Sequence, residues 1–269
     1  MDTSTRFPWR QFSLVALLAI ILVGTIAMNP TLGPAKKSPL KGKKVLFVYG
    51  GWKGHEPIKY RDMLVPWLIE EGAKVDTFSS LEVYADSAYM ETVDLVLQIY
   101  TMSKITKEQQ KGLLRTIRRG AGLAGWHGGL CDAFRNNPAY QYMTGGQWVS
   151  HPGGHVDYTV NFADVDDPLI KGLKDFDVHT EQYYMHVDPN VKVLATTTFN
   201  GEKDYWIDGC TMPIAWKKAY GQGRVFYTSL GHHADVFDQP DARKLLERGI
   251  RWASESKEKG PEVWITPMY

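Results

Sequence analysis

The residues best suited to chemistry are histidines and one carboxylate placed where turns follow apolar runs. The densest stretch is Gly120-Ala-Gly-Leu-Ala-Gly-Trp-His-Gly-Gly129. An apolar run entering Gly125-Trp126-His127-Gly128-Gly129 has the shape of a nucleophile elbow, in which small neighbours let one side chain stand above a sheet. That side chain is His127. Imidazole is a poor acyl-transfer nucleophile but a good metal ligand or general acid/base. The plainer alternative is a glycine-rich turn in which His127 caps a backbone group. In His151-Pro-Gly-Gly-His155 the two histidines would make a zinc pair only on a helix. The intervening Pro-Gly-Gly argues against one, so His151 is read as the site residue and His155 as a loop or supporting residue. Gly50-Gly-Trp-Lys-Gly-His55-Glu56 lacks the G-x-G-x-x-G spacing of a nucleotide loop, which leaves His55 as its candidate. Gly231-His232-His233 supplies another imidazole, with ordinary loop hydrogen bonding as the alternative. Glu181, in His179-Thr-Glu-Gln-Tyr183-Tyr184, is the candidate carboxylate; its aromatic neighbours are expected to raise its pKa toward acid/base use.

The elements that must position these groups are legible as alternating apolar runs and helical patterns. Strands are expected at Val45–Tyr49, Val75–Phe78, Asp94–Ile99 and Leu123–Trp126. Between the first two, Tyr60, Met63, Leu64, Trp67 and Leu68 recur at helical spacing, with Pro66 expected to kink that helix or shift its start. Thr106-Lys-Glu-Gln109 resembles a capping box opening a helix that closes at Gly120. This rhythm argues for a doubly wound, mostly parallel sheet with helices on both faces, a flavodoxin-like α/β fold. In such a sheet the loops carrying His55 and His127 open at one carboxyl edge, near the topological switch point. His232 joins them if its strand runs the same way. From about Gly145 to His186 the pattern looks irregular; strands follow at Val191–Thr197, Pro213–Lys217 and Arg224–Thr228, the last two joined by a Gly221-Gln-Gly223 hairpin turn. A helix from Pro240 to Ser254 ends the domain, and no internal repeat is visible.

Composition narrows the function classes. A net charge of +1 without a basic stripe gives no basis for nucleic-acid binding. Two cysteines, Cys131 and Cys210, make neither a disulfide framework nor a thiolate metal site, although a single bridge is open to an exported chain. Phe12 to Met28 is uncharged, mostly aliphatic and preceded by Arg6 and Arg10, so residues 1–28 read as an anchor or signal segment. Residues 29–42 read as a linker, 43–256 as the folded domain and 257–269 as a C-terminal tail, part of which docks through Trp264, Ile265 and Tyr269. The expected location is membrane-anchored or exported, on the extracytoplasmic (periplasmic) face. Lys36, Lys37, Lys41, Lys43 and Lys44 after the segment pull the other way.

Taken in order, these landmarks resemble the ThuA-like (trehalose utilisation) domain of the class I glutamine amidotransferase-like superfamily. The resemblance covers about Lys43 to Ala253. It rests on Gly50-Gly51 with His55, Gly-Leu-Ala-Gly-Trp-His-Gly-Gly129, and Tyr142-Met-Thr-Gly-Gly146 leading to His151-Pro152. Lys171-Gly-Leu173, Glu181 with Tyr183, Trp216, and Gly221-Gln-Gly-Arg-Val-Phe-Tyr-Thr-Ser-Leu-Gly-His232 complete it. Asp167-Pro168 and Thr180 depart from the usual His-Pro and Asp. Glutamine amidotransfer is not expected: His127 stands where those relatives carry a cysteine, and His233 is followed by Ala234 and Asp235 instead of a His-x-Glu dyad. The resemblance implies breakdown of disaccharides through 3-keto-glycosides, by a lyase, isomerase or hydrolase with a small carbohydrate substrate. His127, His151, Glu181, His232 and His55 are its expected catalytic residues. His127, His151, His232 and Glu181 are the metal candidates, for a divalent ion such as zinc. Trp52, Trp126, Trp148, Tyr183 and Trp216 would give faces to the sugar. The alternative is a non-catalytic sugar-binding or scaffolding domain.

Overall fold

The computed structural model describes residues 37–262. The hydrophobic segment Phe12–Met28, the start of the linker, and Trp264, Ile265 and Tyr269 lie outside the described residues. Among the described residues no helix is long and apolar enough to cross a membrane.

The first half builds as its pattern suggests. Strands β1 (Lys44–Gly51), β2 (Lys74–Phe78), β3 (Leu95–Thr101) and β4 (Gly122–Trp126) are mutually parallel. Helices α1 (Pro57–Glu70), α2 (Ser87–Glu91) and α3 (Lys107–Arg118) connect them. Val45, Leu46, Phe47 and Val48 are all fully buried, because both faces of the sheet are covered. Alternation decides which cover each residue meets. Val45 and Phe47 pack with Tyr60, Leu64 and Leu68 of α1, while Leu46 and Val48 pack with Leu113 and Ile117 of α3. The Thr106–Gln109 capping box forms in both directions at the start of α3. Pro66 neither ends nor shifts α1. Its missing N–H removes the helical hydrogen bond to the Asp62 carbonyl, on a turn exposed to solvent.

After β4 come two short helices, α4 (His127–Cys131) and α5 (Pro138–Thr144). The stretch expected to be irregular is instead four strands: β5 (Gly146–Ser150), β6 (His155–Phe162), β7 (Phe176–Glu181) and β8 (Tyr184–Val187). The signal was present, since Val156, Tyr158, Val160 and Phe162 alternate with His155, Asp157, Thr159 and Asn161 at period two. β9 (Lys192–Thr198), β10 (Thr211–Tyr220) and β11 (Gly223–Thr228) follow, then α6 (Pro240–Ser254) and α7 (Ser256–Lys259). Among the described residues one nine-stranded sheet has the order β2-β1-β3-β4-β11-β10-β9-β6-β7, and β5 with β8 forms a separate pair. β11 is parallel to β4, whereas every pairing from β11 out to β7 is antiparallel.

Residues on both sides of positions 43–256 pack on the domain. Leu40, inside the expected linker, is fully buried in the core, and Ser38 hydrogen-bonds Glu71. At the other end Glu262 ion-pairs with buried Lys217 at 2.7 Å, so the tail docks before residue 263. Cys131 and Cys210 are not joined.

Candidate metal centre

Three turns at one sheet edge deliver three imidazoles. Gly51, with φ 74°, ends β1 so close to β3 that a Cβ there would sit 2.1 Å from the Thr101 carbonyl oxygen. The following turn carries His55 over β3, where its Nδ1 lies 2.8 Å from Thr101 Oγ1. At the end of β4 the chain bends sharply at His127, whose φ of 49° is unusual for a residue with a side chain. That bend lifts the imidazole above the sheet, as an elbow requires. Gly128 is needed beside it, since a Cβ there would lie 2.6 Å from His55 Cε1. His232 follows β11, whose direction brings it to the same edge.

The carboxylate arrives from the other half of the sheet. Alternating directions from β11 to β7 return the end of β7 to the same edge, and Glu181 is its last residue. One ligand atom from each of His55, His127, Glu181 and His232 lies within 4.8 Å of all the others, and all four residues are buried. Glu181 Oε2 stands 3.1 Å from both His127 Nε2 and His232 Nδ1.

Hydrogen bonding sets the proton on His127. Its Nδ1 is 2.7 Å from the Ser229 carbonyl oxygen, which can only accept, so Nδ1 carries the proton and Nε2 presents its lone pair. Tyr183 Oη stands 2.7 Å from that Nε2. A lone pair facing a carboxylate oxygen at 3.1 Å is repulsive unless positive charge lies between them. His232 Nδ1 is buried without a hydrogen-bond partner, which points to the same requirement.

Electrostatics favour the ligand forms of these groups. Burial, reinforced by His127 and His232, pushes His55 down to about 2. Burial also lowers His127, although Glu181 and the Ser229 carbonyl oppose the shift. Burial raises Glu181, but the adjacent His127 and His232 imidazoles outweigh it and hold the carboxyl well below the usual range. This corrects the expectation that flanking aromatics raise it. Three neutral imidazoles and an ionised carboxylate form a donor set suited to zinc or a similar ion. Thr101 and Ser229 orient His55 and His127 through their other ring nitrogens, in the usual supporting arrangement of metal-bound histidines.

The remaining candidates separate into three groups. His151 Nε2 lies 3.7 Å from Glu181 Oε1 but is not among the four converging groups; His55 takes the place expected of it. Trp52 is 44% exposed, with its ring 4.7 Å from that of His55, and Trp148 stands 5.6 Å from His151. Tyr183 is nearly buried and acts on His127 instead of offering an open face. Trp126 and Trp216 are core residues. Trp126 packs on Phe47 and Tyr60, and Trp216 donates to the Thr144 carbonyl at 3.0 Å. Neither is exposed, so neither offers a sugar-binding face. Sequence reading undervalued His155, which opens β6 opposite Glu181 with its ring 4.5 Å from that of His232.

Comparison with known proteins adds the relationship. The family model described as ThuA, trehalose utilisation, matches residues 44–253. The chain belongs to the ThuA family. A ThuA-like protein from Bacteroides uniformis superposes with a TM-score of 0.69 at 17% identity, covering 84% of this chain and 95% of its own. A ThuA-like protein from Parabacteroides merdae gives 0.64 at 21% identity, covering 81% and 91%. A cytoplasmic protein from Salmonella typhimurium gives 0.54 at 13%, covering 81% and 100%. At these identities the likeness establishes a shared fold. No curated protein matches the chain in sequence.

Proposed function

We propose that this ThuA-family domain is an enzyme of carbohydrate breakdown that acts on a keto-sugar, such as a 3-keto-disaccharide, at a divalent metal held by His55, His127, Glu181 and His232. The observation that carries the reading is the convergence of those four ligand atoms within 4.8 Å. A metal bound there supplies Lewis-acid polarisation of a sugar carbonyl. The protein's own groups would then do the rest. Trp52, exposed beside His55, would suit the apolar face of a ring. His151, its side chain 37% exposed, is placed to take or return a proton at the carbon beside the carbonyl. Glutamine hydrolysis is disfavoured because His127 occupies the elbow and burial raises the Cys131 thiol well above its ordinary value. Placement on the extracytoplasmic face, behind the hydrophobic segment, belongs to the same proposal and rests on residues 12–28.

Metal analysis of the purified chain together with turnover of 3-keto-disaccharides tests the reading. Stoichiometric divalent metal is expected in the wild type and none in His127→Ala, with turnover falling at least about 10²-fold. Equal turnover in both would rule out the elbow histidine as part of the machinery.

A further inference from the structure

The edge that carries the metal centre continues into a cleft that the centre itself does not use. We propose that this cleft is a saccharide subsite for the ring beyond the one being transformed, with Trp206 as its stacking platform. The inference rests on the carbohydrate reading above and adds where the second ring binds.

Topology places the cleft. Strand directions bring the end of β9 to the same edge as the end of β7 and the start of β6. The connection from β9 to β10, residues 199–210, therefore stands beside Glu181 and His155. The cleft between them has a volume of about 460 Å³. That lies within the range of small-molecule sites. His155 forms one wall, its ring 4.5 Å from that of His232, so a single imidazole stands between cleft and centre. Gln182, directly after Glu181, forms another wall.

The lining has the chemistry a sugar needs. Asp157, Gln182, Asn200 and Asp204 line one space; Thr197 Oγ1 holds Gln182 Nε2 and His179 Nδ1 holds Asp157 Oδ1, each at 2.8 Å, which leaves Gln182 Oε1, Asp157 Oδ2 and Asp204 to a ligand. Hydroxyl-rich ligands are recognised by such groups, each hydroxyl both giving and accepting a hydrogen bond. In the chain between the lining residues Asp204 and Ile207 come Tyr205 and Trp206, which are 81% and 69% exposed and pack edge-to-face on one another. Two adjacent, highly exposed large aromatics serve no core and suit the C–H faces of a pyranose ring. The opposing loop approaches closely: a Cβ on Gly153 would lie 2.8 Å from Lys203 Cγ. Rigid strands thus hold the reacting centre, while a loop of different composition holds the neighbouring ring.

Calorimetric binding of trehalose and of glucose to the full-length chain tests the proposal, because neither sugar carries the ketone and neither is consumed. Wild type and His127→Ala should both bind trehalose about tenfold more tightly than glucose. Trp206→Ala should lose that preference and Trp206→Phe should keep most of it, with the urea midpoint unchanged in each. A wild type that binds the two sugars equally, or a Trp206→Ala chain that keeps the full preference, would overturn the subsite. Metal content of the same preparations reads the centre separately. A chain without metal that still loses its disaccharide preference on Trp206→Ala would sustain the subsite and sink the metal reading.

Discussion

The two halves of the sheet bring opposite things to one edge. The parallel half, β2-β1-β3-β4-β11, supplies His55, His127 and His232 from turns after its strands. The antiparallel extension, β10-β9-β6-β7, supplies Glu181 at the end of its outermost strand, and with it the cleft walls. Imidazoles alone would leave lone pairs crowded without a counter-charge, and Glu181 alone would be one buried anion at a sheet edge. The centre exists only where the halves are locked in register. Parallel strands under two layers of helix give a rigid platform, while an antiparallel extension reached through loops can vary its rim without disturbing that platform.

The most damaging way to break this partnership is to remove what the extension contributes. Glu181→Gln keeps the side-chain volume but removes the charge that three imidazoles surround. Metal content should be lost and turnover on a 3-keto-disaccharide should fall about 10³-fold. Folding should persist, because the amide NH2 in that place can donate a hydrogen bond to the unprotonated Nε2 of His127. A Glu181→Gln chain with full metal content would show that the histidines bind without their partner from the other half.

The halves differed equally in how they could be read. In the parallel half, unbroken apolar runs such as Val45–Val48 and glycine-marked turns identify strands and the edge they share, so His55 and His127 could be brought together from a topological rule. The extension is half polar. Its strands alternate His155, Asp157, Thr159 and Asn161 with their inward residues, and its order in the sheet depends on long-range pairing that no local pattern declares. The exchange of His151 for His55 has the same origin. Sequence leaves His55 outside the expected ligand set, because it does not tell how closely Gly51 and Gly128 let β1, β3 and the elbow approach one another. Nearness to His127 misleads at Trp126, since one residue along a strand reverses the face a side chain meets, and Trp126 turns into the α1 layer just before His127 rises.

Asp167 tests what locks the extension in place. Its side chain is fully buried, 2.7 Å from buried Lys217 on β10 and 2.8 Å from Lys192 on β9, and it accepts from the Leu169 N–H. Asp167→Asn leaves Lys217 with Glu262 as its carboxylate partner among the described residues and should cost about 3 kcal/mol in urea unfolding, since breaking one partner of a buried pair strands charge. Burial raises the Asp167 carboxyl, but hydrogen bonds from Lys192 and Lys217 outweigh it and hold it below its ordinary value. Its stabilisation is therefore complete above an unfolded-state pKa of about 3.9 and is lost as pH falls through the lower folded value. The gap between wild type and Asp167→Asn should be constant near neutrality and close only in strong acid. A gap that narrows between pH 8 and 6 would mean that histidines, not Asp167, carry the difference.

The gentlest probe acts within the parallel half. Thr101 Oγ1 meets His55 Nδ1 at 2.8 Å and holds the ring so that its other nitrogen is left to the centre. Thr101→Val preserves shape and burial but removes that partner, so the ring is free to turn and its protonated nitrogen is no longer specified. Metal affinity should weaken about tenfold, at the low end for a supporting residue of this kind, while stability changes by about 1 kcal/mol. Competition with a chelator of known affinity measures the first and urea unfolding the second. Thr101→Ser should restore the affinity. An unchanged affinity in Thr101→Val would show that packing against Gly128, and not the threonine hydroxyl, orients His55, and would move the determinant from the end of β3 to the elbow itself.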